Sequence, residues 1–115
     1  MDNEEIKKIN LGKDFNPAPA GRYRTDGKFS GERFREDFLV PFLKKYKKVI
    51  INLNGLDGIG PSFWDEAFAG LIIKENYSIE ELNKKLEFEC SDDIYLIDYI
   101  KRLMIDVINT TIGGK

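Results

Sequence analysis

For an enzymatic role this 115-residue chain offers two candidates, the hydroxyl of Ser62 as a phosphoryl acceptor and the thiol of Cys90. The chain has no histidine, so neither has the usual general base near neutral pH. That removes Ser-His-Asp and Cys-His catalysis and imidazole-based metal sites. Cys90 stands among Glu87, Glu89, Asp92 and Asp93, and acidic neighbours raise a thiol pKa, so an ordinary buried or edge cysteine is expected. A single cysteine also excludes an internal disulfide or a multi-cysteine zinc site. The acidic residues form no cluster of defined spacing for a divalent cation. The expectation is a protein that is not an enzyme and holds no metal or cofactor.

Binding chemistry has two candidates. In GRYRTDGKFSGERF, Arg22, Arg24 and Lys28 precede Ser30, a helix N-cap. Two guanidinium groups and an ammonium beside a helix N-terminus would make an anion or nucleotide pocket. The same arginines could instead pair with Asp26, Asp57 or Asp65 and brace two loops. The second candidate follows Ser62. On a helix beginning there, Trp64, Ala67, Phe68, Leu71 and Ile72 form the core stripe. Phe63, Glu66, Ala69, Gly70 and Ile73 lie outside it, a small and partly apolar strip for docking another protein, with Phe63 as aromatic anchor. Alternatively, Ala69 and Gly70 only let this helix sit close to a neighbour.

The elements that must position these residues centre on 49–73. Val49, Ile50, Ile51 and Leu53 read as a strand covered on both faces. The turn through Asn54, Gly55, Gly58, Gly60 and Pro61 ends it, and Ser62 with Asp65 resembles a capping box opening the helix. Upstream, Ile6, Ile9 and Leu11 suggest a first strand, and Arg22 to Arg24 alternate like a short strand or arm before the Asp26-Gly27 turn. Phe34, Phe38 and Phe42 fall at i, i+4 and i+8, so a helix is expected over 31–46, kinked or divided at Pro41. Downstream, Ser78 and Glu81 form a second capping box. Residues 86–90 alternate as a half-buried or edge strand. A very apolar last helix follows over 92–109, to be buried within the monomer or to serve as a homo-oligomer contact.

One domain spanning 1–115 is expected, with 1–4 and 111–115 as flexible tails. The composition, 42% apolar and 33% charged, is that of a soluble globular protein. No apolar run is long enough for a membrane span and the N-terminus lacks a signal-peptide pattern, so the cytoplasm is the default location. The net charge of −2 hides a gradient, since residues 22–48 carry nine Lys/Arg and four acids while 49–115 carry six and twelve. The acidic second half argues against nucleic acid as a partner.

INLNGLDGIGPSFWDEAFAGL resembles the central segment of STAS domains, the anti-sigma-factor-antagonist fold. The motifs GRYRTDGKFSGERFRED, GIGPSFWDEAFAGL and LEFECSDD together resemble, over residues 4–109, the STAS-like domains of unknown function of bacterial and phage genomes. The resemblance implies an α/β fold with a small mixed four-stranded sheet flanked by helices, and a regulatory signalling module without enzymatic activity. Its implied partner is a histidine-kinase-like ATPase, docked by the helix after the turn and released when a serine there is phosphorylated. In this chain Gly60 replaces the family's Asp, Pro61 replaces the phosphoacceptor serine, and Phe63 replaces the glycine. Only Ser62 remains as a phosphorylation candidate. The runner-up reading is an anionic-ligand or nucleotide-binding domain built on Arg22, Arg24 and the Ser62 helix start.

Overall fold

β-Branched residues dominate Lys48–Asn52, and this segment forms the central strand of a sheet. The computed structural model describes residues 5–113, with side chains as far as Asn109. Three strands run through it: β1, Ile6–Asn10; β2, Lys48–Asn52; and β3, Leu86–Glu89. They lie in the order β1-β2-β3 and all pair in parallel.

Among the described residues the sheet thus has three strands, not the expected four, and is parallel rather than mixed. The missing strand is the one anticipated at Arg22 to Arg24. There Asp26 accepts the backbone N–H groups of Arg22 and Tyr23. Those two donors are no longer available to a ladder, and the N–H groups of Asp26 and Gly27 close a 3₁₀ turn at Arg24–Asp26 onto the Tyr23 and Arg24 carbonyls.

Helix α1 covers residues 31–45, with Ser30 capping it by accepting the Arg33 N–H. It starts as Gly31–Phe34, widens into a π-helical turn at Arg35–Leu39 and resumes as Val40–Lys45. The interruption expected at Pro41 takes the form of this π-helical turn, which ends just before the proline. The Val40 N–H donates five residues back, to the Arg35 carbonyl, and the wider turn leaves room for the ring that follows.

Helix α2 covers residues 61–73, likewise with a π-helical turn at Asp65–Ala69. Its N-cap is Gly60, with Pro61 as first helical residue and no side-chain cap. The Ser62–Asp65 capping box does not form. Proline starts the helix two residues early, and Asp65 is taken by Arg22. Asn76, at φ 64°, turns the chain away after α2. Helix α3, Ile79–Lys85, begins with the expected Ser78–Glu81 box. Helix α4, Leu96–Gly113, starts later than expected because the N–H groups of Ser91 and Asp92 are bonded to Asn54. Residues 1–4 and 114–115, which hold most of the expected tails, lie outside the described residues.

Register assigns the two faces of the sheet. Ile9 pairs with Ile51, Ile51 with Phe88 and Val49 with Leu86, so these share one face. They join Phe34, Leu39 and Leu43 of α1, Phe63, Trp64 and Phe68 of α2, Leu82 of α3, and Ile100 and Met104 of α4 in one core. The opposite face carries Lys8, Ile50 and Glu87 in one row and Asn10, Asn52 and Glu89 in the next. Among the described residues no helix packs there. β2 is accordingly covered on one face, not two. Ile50 is nevertheless buried, in the centre of the row between long charged side chains.

Candidate functional site

The carboxyl ends of the parallel strands gather the loops that follow them, the usual place for a site in an open α/β sheet. After β2 the chain passes through Gly55 (φ 77°) and Gly58 (φ 55°), backbone that favours glycine. After β3 it passes through residues 91–95. Asn54 joins the two loops, its side-chain oxygen accepting the N–H groups of Ser91 and Asp92 at 2.8 and 3.1 Å. In return the Gly55 N–H donates to the Asp92 carboxylate at 2.9 Å. That bond, and the Cys90 thiol after it, hold Asp92 below the usual carboxylate range. Between these loops and the first turn of α2 lies a depression of about 220 Å³ over Leu53, Leu56, Ile59, Trp64 and Leu96. Ile94 and Tyr95, 74% and 75% exposed, stand in the chain at its rim. Ser62 is exposed at the start of α2.

Cys90, half-buried, lies 3.4 Å from an Asp92 carboxylate oxygen. Burial first, and the Asp92 contact after it, push its thiol pKa up. A thiol in that state is a poor nucleophile at neutral pH.

A second constellation lies between the helices. Arg35 and Glu66, 1% and 4% exposed, face each other from the π-helical turns of α1 and α2. Arg35 Nη1 donates to the Glu66 carboxylate at 2.8 Å and to its backbone carbonyl at 2.6 Å, while Nε donates to Glu75 at 3.0 Å. Lys74 reaches the same Glu66 oxygen at 2.7 Å. Burial alone would push the Glu66 carboxyl up. The hydrogen bonds from Lys74 and Arg35 outweigh it and hold the group below its usual range. Every buried side-chain polar atom among the described residues has a partner, so the cluster has the character of a structural clamp.

The residues expected to form a docking strip divide accordingly. Phe63, Ala69 and Gly70 are buried, as is Glu66, and only Ile73 of the five is exposed. Phe63 stacks edge-on against Trp64 at 5.3 Å between ring centres. A Cβ on Gly70 would fall 2.5 Å from Arg35 Nη1, so this glycine gives the guanidinium its place. The close-packing alternative describes Ala69 and Gly70. The expected anion pocket is occupied by the protein's own carboxylates. Arg22 bonds Asp65 at 2.6 Å, and Arg24 bonds Asp37 at 2.8 Å and Glu36 at 3.0 Å. Ser30 is buried as a helix cap, and Lys28 is exposed.

Sequence reasoning missed Arg35, Asn54, Ile94 and Tyr95. Arg35 had a signal, because it stands four residues after Gly31 on the inward side of α1. An opposite charge, Glu66, sits at the matching inward place in α2.

A family model described as a STAS-like domain of unknown function matches residues 30–95. The chain belongs to this family. The match runs from the α1 cap to Tyr95 and takes in the Arg35–Glu66 pair, the glycine turn and the Asn54 tie between the loops. Comparison with curated proteins and with solved structures gives no match. Among its described residues this STAS-like domain has no group of three or more His, Cys, Asp or Glu placed to hold a metal ion. None of its described helices is long and apolar enough to cross a membrane.

Proposed function

We propose that this STAS-like domain is a non-catalytic regulatory module that binds another protein through the carboxyl end of its sheet. The observation that carries this reading is the pair Ile94 and Tyr95, the most exposed large apolar side chains among the described residues. Their loop is fixed by Asn54 and Asp92 to the glycine turn. An apolar side chain held in solvent on a rigid loop loses little entropy on docking, which is the property of an interface anchor. Ser62, exposed at the helix start beside the depression, is the site where a phosphate would act on such a contact. A helix N-terminus tolerates the added charge, whereas an interface built on Tyr95 does not. A histidine-kinase-like ATPase is the partner class we infer, from the family resemblance of the turn and helix.

Affinity capture from native-host extract, run in parallel with wild type and Tyr95→Glu, tests the proposal. A protein retained by wild type and lost by the correctly folded variant supports it. Equal recovery by both, or no partner for wild type, contradicts it.

A further inference from the structure

The two loops that rim the depression at the carboxyl end of the sheet carry acid without base. Neither Lys nor Arg occurs from Val49 to Ile73 or from Leu86 to Ile100. Some carboxylates of these stretches take a cation from elsewhere in the fold, Asp65 from Arg22, Glu66 from Arg35, Glu87 from Lys48 and Glu89 from Lys8. Asp57, Asp92, Asp93 and Asp98 have no basic partner among the described residues. Asp92 and Asp93 line the depression beside Trp64 and Leu96, and its described lining holds no Lys or Arg. Asp57 stands in the chain between Leu56 and Gly58, which line it too. Lys13, just after β1, borders a separate hollow with Asn10 and Asn52. The partners that Asp92 and Asp93 do have are neutral, the Gly55 N–H and the Cys90 thiol for Asp92 and the Tyr95 N–H for Asp93. Each carboxylate oxygen keeps a lone pair for a further donor.

We propose that the protein segment docked here is basic, with an arginine or lysine next to a large apolar side chain, which rests on the docking reading above. The apolar side chain fills the depression over Trp64 and Leu96. The cationic group sits at the rim formed by Asp92 and Asp93 and makes charge-assisted hydrogen bonds to them. Tyr95 and Tyr99, both exposed, are tied by the bond from the Tyr99 N–H to the Tyr95 carbonyl at 3.0 Å. Their rings offer π faces to the same cation. An acidic segment would meet carboxylates with no countercharge and is repelled, so the surface selects by charge as well as by apolar fit. A basic segment is also drawn in from a distance, which makes the association salt-dependent.

Selection from a random library of short peptides on the immobilised full chain, followed by titration of the recovered peptides, tests this. Trp64 is the only tryptophan of the chain and lines the depression, so its emission reports filling. The recovered peptides should carry net positive charge and a large apolar residue, and should shift that emission saturably. Their affinity should fall severalfold when salt is raised to about 0.5 M. It should fall severalfold again in the double variant Asp57→Asn with Asp93→Asn. Both positions are exposed, and asparagine at 93 keeps an acceptor for the Tyr95 N–H. Peptides without an excess of positive charge, affinities unmoved by the double variant, or no recovered peptide would each overturn the basic segment. Neutral peptides that are lost on Tyr95→Ala would overturn the basic segment alone and leave the docking reading standing.

Discussion

Arg35 and Glu66 meet out of solvent across α1 and α2, with guanidinium and carboxylate 2.8 Å apart and the same Nη1 2.6 Å from the Glu66 carbonyl. Both residues lie in π-helical turns. Insertion of an outside donor is one of the ways a helical ladder is widened, and Arg35 supplies that donor to α2. The clamp fixes how α2 lies on the sheet, and with it where the glycine turn and the Ser62 end of the helix point.

Arg35→Met should cost stability by about 3 kcal/mol, the lower part of the range for breaking a buried pair, because Lys74 still partners Glu66. The double variant Arg35→Met with Glu66→Met should be less destabilised than the sum of the single changes. Urea denaturation at constant m measures both. Additive losses would show that the pair is not coupled.

The pH dependence follows from the Glu66 carboxyl being held below its ordinary range. A depressed folded-state pKa contributes stability that is complete above the unfolded value, about 4.3. That contribution is lost as pH falls through the folded one. Wild type should thus lose stability more steeply than Glu66→Gln on going into acid. Denaturation midpoints from neutral pH downward should converge for the two proteins, and parallel curves would contradict this.

Two glycine substitutions should separate close approach from chain flexibility. A Cβ on Gly31 would fall 2.6 Å from the Phe63 carbonyl and 2.9 Å from Glu66 Cβ, whereas one on Gly60 meets nothing within 4 Å. Gly31→Ala should destabilise by about 1–3 kcal/mol despite the better helix propensity of alanine. Gly60→Ala should change thermal stability little. A stable Gly31→Ala protein would mean that α1 and α2 do not cross this closely.

Cys90 should react slowly with a thiol reagent at neutral pH and faster as pH rises, since its thiol is held protonated. Asp92→Asn removes the nearby carboxylate and should speed the reaction. Rapid wild-type labelling at pH 7 would contradict the assignment.

The parts of the fold legible in the sequence were those set by local pattern. The apolar run of β2, the phenylalanine stripe of α1, and the caps at Ser30 and Ser78 all depend on neighbours a few residues away. What escaped depends on distant partners. Phe63, Ala69 and Gly70 read as an outward strip because a regular helical period was assumed, and the π-helical turn shifts that period within α2. Arg35 was passed over because its place on the inward side of α1 does not by itself name a carboxylate 31 positions away as its partner. Ser62 read as a cap, but Pro61 moved the helix start by two residues, to a cap at Gly60. The second face of β2 read as covered because a strand rich in valine and isoleucine does not say whether Ile50 is sheltered by a helix or by neighbouring lysines and glutamates.

The docking surface is the central claim, and titration calorimetry with the captured partner tests it most directly. Tyr95→Glu at the loop rim should weaken binding at least tenfold, about 1.4 kcal/mol or more. Ile73→Glu, at the one exposed position of the α2 strip, should leave the affinity unchanged. The reverse result, with Ile73→Glu abolishing binding and Tyr95→Glu without effect, would place the interface along α2 and contradict the account.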